Sequence, residues 1–308
     1  MTDVSSGAGE PSAAGALPGR RVPHDLRHPG IMADVTANFR QYLTGWGVVD
    51  AGDSDIDWFR SGLAQPQFNG VVRVRSLEEV EQITATARER LAGVPWWWWV
   101  GPDSPAGTSS ALAEHGAQEF TTIPVMVRPL DQAMDPTESS PGLRIEAVSG
   151  DHRLRELVRT YSASMGVAAD IESDIVRIES QRRDNADIVR LAAVLEGRVV
   201  GTTVVIAAHD VAGIFIVHVA ETHRRLGIGT ALTAAALRVG QDRGMRLAAL
   251  AASPAGEPLY RRFGFVEVSQ YRLFTFPVQC DLPLCGLRNR SGGPLSDNGG
   301  DGRAQTSR

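Results

Sequence analysis

A glycine-containing turn between an apolar strand and a helix is the part of the sequence best suited to bind a ligand. The strand pattern ends at Val219, and the turn after it reads Arg224-x-x-Gly227-x-Gly229. The first backbone N–H groups of a helix have no partner within the helix, and they carry the positive end of its dipole. Glycines allow this backbone to approach a bulky anion. The pattern therefore predicts a pyrophosphate site, against the alternative of an ordinary turn with solvated arginines.

A second motif lies downstream and carries a phenol. Ser253-Pro254-Ala255-Gly256 precedes Leu259-Tyr260, and Gly264-Phe265 begins four residues after the tyrosine. Together with the spacing between them, the two motifs resemble those of the GNAT N-acetyltransferase superfamily over residues 143–277. The resemblance implies that the glycine turn binds the pyrophosphate of acetyl-CoA. It also implies that the acetyl group passes directly to an amine within a ternary complex.

The resemblance implies a set of residues along acetyl-CoA. The backbone N–H groups of the turn would bind the pyrophosphate, and the preceding strand would lie along the pantetheine arm. An unpaired N–H of that strand would hold the thioester carbonyl and then the oxyanion. Ser253 either contacts the arm or caps the next helix with Pro254 at its first position, and we favour the cap. The expected cofactor-binding residues are Val217, Val219, Arg224, Arg225, Leu226, Gly227, Ile228, Gly229, Thr230 and Ser253.

Two residues are candidates for proton transfer. Tyr260 matches the family's tyrosine, which would protonate the departing thiolate; a phenol has an ordinary pKa near 10. The alternative is a core tyrosine with its hydroxyl at the rim of the fold. His218 lies on the strand before the turn, and the ordinary pKa of histidine would suit a base that takes the proton of the amine. A histidine in a strand is more often structural, so the base is not evident from the sequence.

The acceptor is an amine of unspecified class: a small molecule, a peptide N-terminus or a protein lysine. Asp170, Glu172 and Asp174 could attract a cationic amine. We prefer to interpret them as the acidic first turn of a helix, which the helix dipole favours. The rival function is an acyl-CoA sensor or partner-binding module without turnover. A Rossmann domain is disfavoured because its Gly-x-Gly-x-x-Gly motif belongs in an early strand–helix turn.

Composition limits the remaining classes. The 308 residues suggest about two domains, and a net charge of −5 gives no general affinity for nucleic acid. Cys280 and Cys285 do not form a metal-binding pattern, and we expect no metal. No apolar run reaches membrane-spanning length, and the N-terminus lacks a signal pattern. We therefore expect a cytoplasmic protein, either a monomer or a homodimer, with no membrane or nucleic-acid partner.

The predicted fold class is α/β (α+β), with two GNAT-like units, each a mixed, mostly antiparallel twisted sheet flanked by helices. Terminal segments rich in glycine, serine and proline are predicted to be disordered. The second unit should run strand, two helices, three strands, helix, strand, helix and strand. The predicted segments are 1–32 (disordered), 33–128 (degenerate GNAT-like unit), 129–142 (linker), 143–280 (catalytic unit) and 287–308 (disordered tail).

An internal echo supports the first unit. Ser104-Pro105-Ala106-Gly107 follows an apolar run of four tryptophans, as Ser253 and its neighbours follow a strand in the second unit. The first unit lacks the Arg-x-x-Gly-x-Gly turn, and Leu112 stands near the place of Tyr260, so we interpret it as non-catalytic. The tryptophans are expected to be core residues of a strand covered on both faces and not a stacking platform. Ser76 and Glu79 are predicted to form a capping box.

Overall fold

The computed structural model describes residues 25–48, 55–131 and 141–277. The described α-helices are α1 Pro29–Thr44, α2 Val80–Arg90, α3 Thr108–Glu114, α4 Gly150–Met165, α5 Glu172–Gln181, α6 Ile228–Asp242 and α7 Glu257–Arg262. The described strands are β1 Ile56–Arg60, β2 Asn69–Val74, β3 Trp97–Val100, β4 Gln118–Pro129, β5 Arg144–Ala147, β6 Ile188–Leu195, β7 Arg198–Ala208, β8 Val211–Val219, β9 Leu247–Ala251 and β10 Val266–Thr275. The two cysteines, the tail 287–308 and much of the predicted linker lie outside the described residues.

All ten strands belong to one mixed sheet, in the order β1-β2-β3-β10-β4-β9-β8-β7-β6-β5. The predicted α+β class is confirmed at this level, but two separate sheets are not resolved. The two halves exchange strands at the centre. β10 lies between β3 and β4 of the first half, while β4 lies between β10 and β9 of the second half. This exchange makes the two halves share one sheet.

The internal echo corresponds to a repeated arrangement. Each half contains two neighbouring parallel strands that are connected by a helix. The helix is α2 between β2 and β3 in the first half and α6 between β8 and β9 in the second half. A short helix and a left-handed glycine then lead into the exchanged strand. These glycines are Gly116 and Gly264, with φ of +86° and +79°. A left-handed glycine is common directly after the end of a helix.

Helices cover the second half of the sheet on both faces. On one face α6 and α7 pack over a cluster that includes Leu237, Leu250 and Tyr260. On the other face α1, α4 and α5 pack over a cluster that includes Phe39 and Tyr161. The tryptophans of β3 divide between cores, as a two-sided strand requires. Trp98 is fully buried in the core that contains residues of α2 and α3, whereas Trp99 packs against α1.

Some local predictions differ from the structure. α1 begins at Pro29, inside the segment 1–32 that was predicted to be disordered, because His28 Nδ1 accepts a hydrogen bond from the N–H of Gly30 and caps the helix. The capping box at Ser76 is wrong. Its Oγ accepts from the N–H of Glu78 in a preceding turn, and α2 starts only at Val80. β1 was not predicted from the sequence.

Two searches of the described residues bear on function class. No described helix is both long and apolar enough to cross a membrane. Within the same residues, no group of three or more histidine, cysteine or acidic side chains is arranged to hold a metal ion.

A single amide side chain seats α1 on the second half of the sheet. The Nδ2 group of Asn38 faces the carbonyl oxygens of Ile206, Ala208 and Val211 at 3.1, 3.0 and 2.9 Å. Gly213 makes room for it, since a Cβ there would lie 2.0 Å from the Oδ1 of Asn38. The asparagine is 1% exposed, so its donors replace water for these carbonyls.

We predict that Asn38→Asp lowers the free energy of unfolding by about 3 kcal/mol, because a carboxylate cannot donate to the three carbonyls and is buried beside them. Urea unfolding followed by circular dichroism measures the change. Gln118→Glu makes the same chemical substitution at an exposed strand end and should change stability little. Equal effects of the two substitutions would contradict the seating role of Asn38.

Candidate functional site

The candidate site is a fork between two parallel strands. β8 and β9 pair only through Val211, Ala212 and Gly213, and β8 continues to Val219 with no further pairing to β9. At the base of the fork, residues of α1, β4, β8 and β9 enclose a small cavity of about 10 Å³. Beyond this point the facing edges of the two strands are unpaired, and their backbone groups are available to a ligand.

A bulge bends β8 within the fork. Thr202 pairs with His218 and Val204 pairs with Phe215, so two residues of β8 oppose Thr203 alone. Ile216, within this bulge, has φ of +51°, which is strained for a β-branched residue. The side-chain hydroxyls of Thr202 and Thr203 donate to the carbonyls of Ile216 and Phe215 at 3.0 and 3.2 Å. Bulges of this kind re-aim a strand next to functional sites.

The glycine turn leaves the start of α6 open to solvent. A 3₁₀ turn, Glu221–His223, leads from β8 into extended Arg224, and Arg225 and Gly227 have φ of +65° and +71°. α6 then begins at Ile228. Among the described residues no side chain caps its N-terminus. The residues from Arg224 to Gly227 are exposed, so the first N–H groups of α6 lie beside solvent with the positive end of the dipole.

Glycines also bring α6 close to the sheet. A Cβ on Gly201 would lie 2.9 Å from Ile228 and 3.0 Å from Leu232, so only glycine in β7 permits this approach. Gly229 is different. A Cβ there would meet Leu259 at 3.4 Å and Val219 at 4.0 Å, which is ordinary contact. Nothing in the described fold therefore requires a glycine at 229, which agrees with a ligand that needs the space.

The three residues at the end of β8 face two sides of the sheet. Val217 packs in the α6 and α7 cluster, and Val219 packs beside the start of α6. The ring of His218 faces α4, where its Nδ1 lies 2.9 Å from the hydroxyl of Ser164. The Nε of Arg224 donates to the carbonyl of Val219 at 3.5 Å, which places its charge close to the histidine.

The acid–base properties of His218 differ from the sequence expectation. Burial, with a smaller contribution from the charge of Arg224, lowers the pKa of His218 to about 4. The imidazole is neutral at pH 7 and free to accept a proton, but it is a weaker base than its ordinary pKa indicated. The reason is local, since the surrounding apolar core disfavours the imidazolium.

Tyr260 lies in α7, on the opposite side of the sheet from His218. Its side chain packs edge-on against Phe265, with ring centroids 6.0 Å apart, and the residue is 7% exposed. Burial raises the pKa of Tyr260 to about 12. The phenol is therefore protonated throughout the physiological range. Tyr260 and His218 can act on one molecule only through the gap between β8 and β9.

Ser253 and Gly256 shape the turn before α7. The hydroxyl and the carbonyl of Ser253 both accept from the N–H of Gly256, at 3.2 and 2.9 Å. Ser253 thus closes the turn ahead of the helix, but the preferred interpretation of it as the helix cap is wrong. α7 begins at Glu257 with Gly256 at its N-cap, so Pro254 is not its first residue. A Cβ on Gly256 would lie 2.8 Å from the ring of Tyr260. A side chain at position 256 would therefore collide with the ring of Tyr260, and glycine avoids this.

Two of the three acidic residues around the start of α5 pair with arginines. Asp170 lies in a 3₁₀ turn, and Glu172 and Asp174 are in the first turn of α5. Glu172 pairs with Arg159 at 3.6 Å, and Asp174 pairs with Arg177 at 3.2 Å. These contacts agree with the preferred interpretation of an acidic helix start.

Sequence reasoning missed several residues that shape the site, namely Ser164, Thr202, Thr203, Ile216 and Gly256. One signal was available. Two adjacent threonines interrupt a strand that is otherwise apolar, and both are fully buried. Buried hydroxyls need partners, so this pair indicated a local irregularity in the neighbouring strand. The positive φ of Ile216 had no comparable signal, because β-branched residues are typical of regular strands.

Comparisons with known proteins agree with this geometry. Residues 154–265 match the family model described as the acetyltransferase (GNAT) family. A GCN5-related N-acetyltransferase from Kribbella flavida is 19% identical, with a TM-score of 0.63 over 81% of this chain and 96% of the other. A GCN5-related N-acetyltransferase from Sphaerobacter thermophilus is 19% identical, with a TM-score of 0.58 over 82% of this chain and 93% of the other. A tandem GNAT protein from the clavulanic acid biosynthesis pathway is 16% identical, with a TM-score of 0.54 over 80% of this chain and 95% of the other.

At these identities the solved structures show a shared fold, and no curated protein matches the chain. The matched segment runs from α4 to the residue before β10, and it contains the fork, the glycine turn and Tyr260. The family match assigns residues 154–265, the segment that contains the candidate site, to the GNAT acetyltransferase family, and the chain shares its fold with solved GNAT structures.

Proposed function

We propose that the protein is an N-acetyltransferase that moves an acetyl group from acetyl-CoA to an amine by direct attack in a ternary complex. The observation that carries this proposal is the fork between β8 and β9, which opens beside the uncapped, glycine-containing N-terminus of α6. The fork offers unpaired backbone groups, and the helix start offers an anion site. A pyrophosphate joined to an extended amide-bearing arm has the chemistry to use both.

The turn fits the pyrophosphate of acetyl-CoA. The N–H groups from Arg225 to Thr230 would bind its oxygens, with Arg224 and Arg225 as exposed cations beside them. Val217 and Val219 would lie along the pantetheine arm, and Ser253 would stand at the mouth of the opposite strand. Acetyl-CoA supplies the activated thioester, and the chain's own groups bind and orient it.

Tyr260 is proposed to act on the departing sulfur. The free thiol of a cysteine has an ordinary pKa near 8.5, so a thiolate does not readily take a proton from a phenol of pKa about 12. The phenol instead donates a hydrogen bond that strengthens as negative charge develops on sulfur. Such differential stabilisation lowers the barrier without requiring complete proton transfer in the same step.

His218 is the proposed acceptor of the amine's proton. Its neutral imidazole is held by Ser164 on the face away from Tyr260, where an amine would approach the carbonyl carbon from the other side of the fork. The lowered pKa of His218 limits this role in the free protein. Binding of pyrophosphate beside Arg224 would offset the charge that contributes to the lowering, and so would strengthen the base.

The first half is proposed to be a degenerate, non-catalytic GNAT-like copy that walls the cleft. Its α1 packs on β8 through Phe39 and Tyr42, whose rings lie 5.5 and 3.8 Å from that of Phe215. Phe215 lies in the fork, so this half contributes a wall to the site. The acceptor is a small-molecule or peptide amine. The second candidate function is acyl-CoA binding without turnover, which the lowered pKa of His218 favours.

We predict that Gly229→Glu weakens CoA binding at least about tenfold, because it puts a carboxylate at the helix N-terminus where the pyrophosphate would lie. Isothermal titration calorimetry with CoA measures the dissociation constant. Gly229→Ala is the matched control, since a Cβ fits there and alanine favours the helix. The control should keep its melting temperature and lose less affinity than the glutamate variant, because it adds a methyl group but no charge. Unchanged affinity in the glutamate variant would refute the pyrophosphate site.

We predict that Tyr260→Phe lowers kcat by roughly 10²-fold and leaves CoA affinity unchanged, because only the hydrogen bond to the departing sulfur is lost. Thiol release from acetyl-CoA, assayed against a panel of amines, measures the rate. The wild-type rate should show no alkaline loss attributable to Tyr260 until the pH approaches 12, since its raised pKa keeps it protonated.

Tyr271→Phe provides the control for Tyr260→Phe. Its hydroxyl is buried in β10 with no hydrogen-bond partner among the described residues, so its removal should leave kcat unchanged. A Tyr260→Phe enzyme with wild-type kcat would contradict the role of the phenol. Tight CoA binding without thiol release for any amine would favour the binding-only candidate.

A further inference from the structure

We propose that Thr202 and Thr203 form a hydroxyl clamp that fixes the bulge of β8 and thereby aims the backbone amide that holds the acetyl thioester carbonyl. Both are positioning residues, because they act on the strand and not on the substrate. The inference rests on the proposed function, and it names two further residues on which the reaction depends.

The clamp is a pair of adjacent hydroxyls on β7 that bind two consecutive carbonyls on β8. Thr202 Oγ1 donates to the carbonyl of Ile216, and Thr203 Oγ1 donates to that of Phe215. Both threonines are fully buried. Consecutive strand residues normally point to opposite faces of a sheet. The bulge lets both hydroxyls reach the neighbouring strand.

The hydroxyls occupy the place where the ladder is interrupted. At a bulge the extra residue is left out of regular pairing, so its carbonyl needs another donor. The clamp also offsets the strain of Ile216, whose left-handed φ is unfavourable for a β-branched side chain. Without the hydroxyls, β8 would gain by returning to a regular extended register. The clamp therefore favours one direction for the residues that follow.

Those residues form the unpaired edge of the fork. Val217 completes the bulge, His218 and Val219 follow it, and none of the three pairs with β9. Because side chains and backbone groups alternate along a strand, a one-residue change of register turns every following N–H group. An oxyanion donor works only when it is already aimed at the developing charge. The two threonines thus determine whether an amide of this edge faces the thioester carbonyl.

The test uses the full-length protein with Thr202→Val and Thr203→Val, which keep the shape and remove the hydroxyl. Infrared difference spectra of bound [1-¹³C]acetyl-CoA report the hydrogen bond to the carbonyl, because that bond lowers its stretching frequency. We expect each valine variant to lose at least about half of the wild-type shift and about tenfold in kcat. CoA affinity should stay within about twofold, since the anion site lies elsewhere. Serine variants, which keep the hydroxyl, should restore the shift.

Thr84→Val is the matched control, because Thr84 is a buried threonine whose hydroxyl donates to the Glu81 carbonyl within α2. It should leave the infrared shift and kcat unchanged. A wild-type shift in both clamp variants would overturn the clamp while leaving the proposed function intact. Failure of the wild-type protein to bind acetyl-CoA would overturn both. If a valine variant does not fold, cysteine at the same position supplies a weaker donor for the same readout.

Discussion

The candidate site depends on the point at which the pairing between β8 and β9 ends. β8 and β9 are held together over three residue pairs, and beyond Gly213 the two strands separate. In a continuous parallel ladder the same backbone groups would be consumed by each other. Because the pairing ends, β8 carries an unpaired edge directly into the turn before α6. The proposed carbonyl site and the proposed anion site are therefore successive parts of one continuous segment of chain.

The strand exchange gives this fork a rigid surrounding. β9 is bordered by β4 from the first half, with pairing from Val125 to Pro129, and β4 is bordered in turn by β10. The edge of β9 that faces away from the fork is thus fully paired, so its position does not depend on the second half alone. α1 adds a second tie through Asn38, at the level where the fork begins. The first half thus contributes β4 and α1 to the surroundings of the fork.

The conformation of the glycine turn could be predicted from the sequence because local rules govern it. The order strand, Arg-x-x-Gly-x-Gly, helix requires left-handed backbone at glycine and an exposed helix start, and the structure has both at Gly227. Gly166 at the end of α4 and the hairpin turn at Gly197 follow similar local rules. The exchange of β4 and β10 could not be predicted in this way. β4 and β10 have similar hydrophobic patterns, so either could pair with the same neighbouring strand. Which strands pair depends on the packing of the complete sheet.

Acid–base properties were also beyond the sequence. His218 and Tyr260 have ordinary pKa values in a free chain, and only their burial lowers one pKa and raises the other. The residues that pack around each of them come from distant parts of the chain, such as Ser164 of α4 beside the histidine. Residue type therefore identified the candidates, while tertiary packing determined how strongly each can accept or donate a proton.

The two halves show that sheet geometry alone does not make a site. β2 and β3 also pair in parallel over a short stretch, at Gly70 and Val71, so the first half has the beginnings of a fork. There the following side chains close together in an apolar core that includes Val74, Val100 and Leu112. The turn into α2 carries Glu78 and Glu79 in place of glycines and arginines, so a phosphate would meet like charge. The two halves thus differ in the residues of the turn on a repeated arrangement of strands and helices.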